Sequence, residues 1–165
     1  MSTVVQRAAL FLITWATLAS TPMLIAEEPP SPLPAPVPTQ ILAAKKVFIS
    51  NGGEDTWLDY DPKHDPTLTY NEFYADMKSW GKYELVSSPT DADIVFEIHL
   101  VLQERSLQLH LLILDPKTHI TLWTFHQYTN FANRDATARK NFDKAMDSVV
   151  ATLRNLVSNG KVDYP

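Results

Sequence analysis

The sequence predicts an α+β domain, a two-layer sandwich in which a mixed, mostly antiparallel sheet of about five strands carries two helices on one face. Three observations lead there. Ile94, Phe96, Ile98, Leu100 and Leu102 alternate with Val95, Glu97, His99 and Val101, a period of two with one wholly apolar face. A second alternating run, Leu107, Leu109, Leu111 and Ile113, begins after only the polar residues Gln103 to Ser106, so an antiparallel hairpin is the natural connection. Apolar residues also recur at three- and four-residue steps in two stretches, one before these strands and one after them.

Taken in order, Val47, Phe48 and Ile49 form a short buried strand that should close in a turn at Asn51, Gly52 and Gly53. A polar connection follows. Thr69 with Glu72 three residues later reads as a capping box, and Tyr70, Phe73, Tyr74, Met77 and Trp80 then share one helical face that should pack in the core. Gly81 supplies the left-handed stop. Tyr83 to Ser87 is a second strand, and because a helix links it to the first it can lie parallel to it. Ser88, Pro89 and Thr90 break the chain before the alternating third and fourth strands. In Asp115 to His119, Asp opens a turn, Pro presets its first torsion, and His119 stands where a positive backbone angle is wanted. Ile120 to Tyr128 is the fifth strand, with Trp123 and Phe125 on one face and Leu122 and Thr124 on the other. Phe142, Ala145, Met146, Val149, Val150, Leu153, Leu156 and Val157 mark a long amphipathic helix that ends near Asn159 and Gly160.

Residues 1–26 read as a secretory signal: Arg7, an uncharged apolar stretch from Ala8 to Ala19, then small residues at Ala19, Ser20 and Ala26. Cleavage is expected after Ala26, with Ala19 the other possible point. An uncleaved anchor is the alternative, the one route by which the chain would meet a membrane, although Pro22 and several hydroxyls speak against it. Residues 27–40 form a proline-rich linker, extended and unable to join helix or sheet. Residues 41–160 then form a single domain. The chain has no cysteine, so disulfides, thiol chemistry and a cysteine-borne lipid are excluded. Its formal net charge of −5, with both signs interspersed, leaves no basic stripe for nucleic acid.

The run Trp80 to Val86, the Ala92, Asp93, Ile94, Val95 step into a strand, and Leu114 to Thr118 ahead of Leu122 and Trp123 resemble the amino-terminal domain of TolB and envelope domains of the curli-secretion type. The pattern is also similar to small exported bacterial domains of unknown function. That resemblance implies a periplasmic, non-enzymatic domain whose partners are proteins of the cell envelope, with no catalytic residues and no cofactor.

The residues themselves offer one sharp constellation. If the hairpin loop is Gln103 to Ser106, His99 lies directly opposite His110, with Glu97 two residues away on the same face and Leu112 facing Glu97. His99, His110 and Glu97 are therefore the candidate metal ligands, weighed against a plain polar sheet face. Asp55, Asp59, Asp61, His64 and Asp65 cluster in the first connection, but the central Gly and final Glu of a calcium loop are missing. Gly52 and Gly53 lack the Lys of a phosphate loop, and Ser50, His64 and Asp59 lack a nucleophile turn. The expectation is an exported envelope module that binds proteins, with a metal-binding or hydrolytic domain on the polar sheet face as the alternative.

Overall fold

The computed structural model describes residues 35–54, 65–103, 106–129 and 135–160. Their order is α1 (Thr39–Ala43), β1 (Lys46–Glu54), α2 (Leu68–Trp80), β2 (Glu84–Leu85), a 3-10 turn (Pro89–Asp91), β3 (Ile94–Gln103), β4 (Ser106–Leu114), β5 (Thr121–Thr129) and α3 (Asp135–Asn159). The five strands form one sheet in the order β2-β1-β3-β4-β5. β1 runs parallel to both β2 and β3, while β3, β4 and β5 are successive antiparallel neighbours. The architecture is the mixed α+β sandwich that the sequence predicts, with the short α1 added.

One apolar cluster joins the sheet to the helices. Ile94, Phe96, Ile98 and Leu100 from β3, with Leu109, Leu111 and Ile113 from β4, turn one side chain in two toward it and are all buried. Every α3 position assigned to the core by its spacing, from Phe142 to Val157, is buried there. Phe96 is the hub: its ring meets Phe73 of α2 at 6.3 Å and Tyr83 at 5.6 Å, both edge-on, and Tyr83 in turn meets Trp80 at 5.5 Å. Burial pushes the Tyr83 hydroxyl up to about 12, so it stays protonated.

Several local expectations are corrected. The Thr69–Glu72 capping box does not form, because α2 begins at Leu68 and the buried Thr69 hydroxyl donates instead to Glu54 at 2.8 Å. Tyr74 leaves the core stripe and is exposed, since the buried line of α2 runs through Thr69, Phe73 and Met77. β1 does not stop at Gly52 and Gly53. It runs on to Glu54 through a register shift between Asn51 and Gly53, where Gly53 adopts φ 90°. β2 is only two residues long. α1 lies where the proline-rich composition predicts only extended chain up to residue 40: Ile41 is fully buried and Val37 packs on the core, so packing reaches back before residue 41. Gly81 at φ 65° and His119 at φ 58° adopt the left-handed conformations expected of them. Asp115 Oδ1 accepts from the backbone of Lys117 at 2.7 Å, and those amide contacts hold its carboxyl below the usual range.

The start of the sheet is pinned by Asp93. Its carboxylate accepts the backbone N–H of Lys45 at 2.8 Å and of Lys46 at 2.9 Å, and its own N–H donates to Lys46 at 2.9 Å. This fixes the parallel β1/β3 register at its first pair, Val47 with Ile94.

Two outcomes follow from this packing. Phe96→Ala should cost about 3–5 kcal/mol in denaturant unfolding, because a fully buried ring is removed from the centre of the aromatic contacts. Asp93→Ala should cost about 1 kcal/mol, as for loss of a capping carboxylate. The backbone amides of Lys45 and Lys46 hold the Asp93 carboxyl below its ordinary value of 3.8, so its contribution is present above that value and is lost as pH falls through the lower folded one. Acid titration of the thermal midpoint should therefore show a shallower final decline in Asp93→Ala than in the parent.

Candidate functional site

Because the helices cover only one side of the sheet, the odd residues of β3 and the even residues of β4 and β5 emerge on the other. Register places His99 opposite His110, as the hairpin arithmetic predicts, and Glu97 opposite Leu112. It also places His110 opposite His126. Three histidines thus form one row across three adjacent strands.

A residue of an antiparallel strand points its N–H and C=O to the same side. His110 therefore makes a hydrogen-bonded pair with one neighbour and a non-hydrogen-bonded pair with the other, with Cα separations of about 5.5 and 4.5 Å. The rings of His110 and His126 lie 5.5 Å apart, tilted by 36°, and His126 meets Tyr128 edge-on at 5.4 Å. On the other side, the His99 ring lies over the backbone of Gly52, where a Cβ would overlap it. Gly52 thus serves close approach of an imidazole, which is a different use from the phosphate loop rejected on sequence grounds.

Each of two imidazoles is held by the residue two positions before it. His99 Nε2 meets Glu97 Oε1 at 2.8 Å, and the hydroxyl of Ser50 donates to the other oxygen of that carboxylate at 3.3 Å. His110 Nε2 meets Gln108 Oε1 at 2.9 Å, and Gln108 is buried. Both partner oxygens accept, so in the neutral ring Nε2 carries the proton and Nδ1 the lone pair. Burial, then the proximity of His126 and His99, hold the His110 imidazole below its ordinary value of 6.5. Gln103, Ser106, Gln108, His110, His126 and Tyr128 line a shallow hollow of about 330 Å³ on this face.

The structure therefore brings together the three predicted residues and adds His126, Gln108 and Tyr128. The missed signal was Phe125: once it is assigned to the core, alternation sends His126 outward. Asp55, Asp59, Asp61 and His64 lie outside the described residues. Asp65 caps a local turn, accepting from the Thr67 N–H and hydroxyl at 2.9 and 2.7 Å. Ser50 is engaged with Glu97 in the middle of a strand, without the strained turn of a nucleophile. A larger recess of about 630 Å³ at the start of the sheet contains Lys45, Asp93, Asp115 and Lys117, but both carboxylates are occupied by backbone amides. Among the described residues, no three His, Asp or Glu groups converge on a common point.

Lowered protonation of His110 has a measurable consequence. The unfolded chain takes up a proton near pH 6.5 and the folded chain only below that value, so this stability is complete above 6.5 and is lost as pH falls through the folded value. Imidazole NMR should show His110 titrating below 6.5 and moving upward in His126→Gln, as repulsion from a second cation is removed.

No protein-family model and no curated protein matches the sequence. Solved structures similar to it include a PelC dodecamer from Paraburkholderia phytofirmans (11% identity, TM-score 0.47, covering 66% of this chain and 86% of that one). A neuraminyllactose-binding hemagglutinin homologue from Helicobacter pylori is similar at 14% identity and TM-score 0.47, covering 72% and 88%. A DUF330 family protein from Xanthomonas campestris is similar at 11% identity and TM-score 0.46, covering 76% and 91%. All three are bacterial, none carries a TolB or curli-secretion name, and likenesses of this degree leave the function to be read from the molecule itself.

Proposed function

We propose that this chain is an exported, non-enzymatic module of the bacterial cell envelope that docks protein partners by accepting an extended segment along β5. The observation that carries the reading is the composition of this edge. β5 stands at the end of the sheet, with β4 as its one strand neighbour among the described residues, and runs for nine residues, TLWTFHQYT. It holds no Lys, Arg, Asp, Glu or Pro, which are the residues that ordinarily guard an edge against pairing.

The opposite edge is the counter-example. β2 is two residues long and charged, with Glu84 3.7 Å from Lys46. Alongside β5, Gln127 and Tyr128 face Lys144, Ala145 and Ser148 of α3 across a groove of about 260 Å³, which offers room for side chains of an added strand. Export rests on the leader pattern of residues 1–26, which lie outside the described residues. No helix among the described residues is long and apolar enough to cross a membrane.

Site-specific photo-crosslinking in cells tests this reading. A probe at Thr121 should give a discrete protein adduct from the envelope fraction, a probe at Glu84 should not, and adding Thr124→Lys should remove the adduct while leaving the thermal midpoint unchanged. Equal adducts from both edges, indifference to Thr124→Lys, or recovery of the chain in cytosol with residues 1–26 attached would sink the proposal.

A further inference from the structure

We propose that His110 and His126, the facing pair of the histidine row, bind one divalent late-transition-metal cation, Cu(II) ahead of Zn(II), on the open face of the sheet. The site shares His126 with β5 but uses its ring nitrogen, not the backbone groups of the edge. Three of the five histidines of the chain stand on consecutive strands in directly opposed positions. Opposed Cβ atoms are about 4.5–5.5 Å apart, and a metal held at about 2.0–2.1 Å by each ring nitrogen needs two nitrogens about 3 Å apart, within reach of small side-chain rotations. The His110 and His126 rings already face each other at 5.5 Å.

The hydrogen bonds are those that prepare imidazoles as ligands. A metal-binding histidine typically donates its second ring N–H to a carboxylate or carbonyl oxygen, which fixes the tautomer and the ring plane. His99 has this arrangement with Glu97, and His110 has it with the buried Gln108. Glu97 is itself fixed by Ser50. These contacts lie on the side of the sheet away from the apolar cluster, and they direct Nε2–H to an oxygen, which makes Nδ1 the ligand atom of the neutral ring.

The choice of metal follows from the linear layout. Three imidazoles in a row do not enclose a point, and among the described residues no third His, Asp or Glu converges with any pair. A structural zinc site wants four protein ligands in a tetrahedron, which this row cannot give. Two neighbouring imidazoles completed by water suit the tetragonal nitrogen and oxygen coordination of Cu(II), and the general order of divalent affinities places Cu(II) first.

Cu(II) titration of the full chain, followed by calorimetry and electron paramagnetic resonance, tests the site. The expected result is one equivalent bound, with nitrogen hyperfine structure from at least two imidazoles and weaker binding of Zn(II). His110→Gln and His126→Gln should each lower affinity about tenfold or more, and His119→Asn should leave it unchanged. Gln108 acts here as a positioning residue for His110, and Gln108→Met should lower affinity about tenfold, within the range seen for outer-sphere partners, with the far-ultraviolet spectrum preserved. Absence of stoichiometric binding, indifference to both His110→Gln and His126→Gln, or loss of binding in His64→Gln alone would overturn the proposal.

Discussion

The register of the β3/β4 hairpin is the constraint on which the rest of the structure depends. Nine successive pairs, from Val95 with Leu114 to Gln103 with Ser106, hold it. A side-chain period of two means that a slip of β3 by one residue would carry Ile94, Phe96, Ile98 and Leu100 out of the core and send Glu97 and His99 into it. The cost of burying a carboxylate and an imidazole in place of four large apolar side chains leaves one viable alignment. The same alignment that fills the core therefore fixes which polar residues face each other outside it. The histidine row is a by-product of core packing in its position, but not in its hydrogen bonds.

Around this hairpin the two halves of the sheet are secured differently. The antiparallel side needs only turns, and the Asp115 carboxylate with the left-handed His119 sets the one between β4 and β5. The parallel side has no local turn to set its register, because β1 reaches β3 only after α2 and β2. Asp93 does that work by binding the backbone N–H groups of Lys45 and Lys46 at the first step of both strands. Further along, the glycines after Asn51 shift β1 by one position and let the chain pass beneath His99. A side chain at Gly52 would collide with that ring.

The edges and faces of the sheet have contrasting characters. One edge is shortened and charged at β2, the other is long and uncharged at β5. One face is closed by α2 and α3, the other carries imidazoles, amides and a phenol. Protein docking along an edge and cation binding on a face use different atoms, backbone N–H and C=O groups in the first case and ring nitrogens in the second. The two proposals can therefore hold together. His126 is the residue they share, since it belongs to both β5 and the row.

Much of this was written in local sequence. Alternation identified β3 and β4, helical spacing identified every buried position of α3, and the short polar link between Leu102 and Leu107 gave the pairing of His99 with His110. These are short-range regularities, and the hydrophobic effect acts on them directly. What the sequence left undecided involved distant partners. Thr69 stands at a capping position, yet its hydroxyl goes to Glu54, fifteen residues earlier. Tyr74 has the spacing of a core residue, yet α2 turns it outward because Phe73 and Met77 already fill the space above β3. The place of His126 in the row required the β4/β5 register, and Gly52 beneath His99 required the parallel β1/β3 pairing. Periodicity says which face a side chain is on; which residue meets it from another strand is decided only when the whole sheet closes on its core.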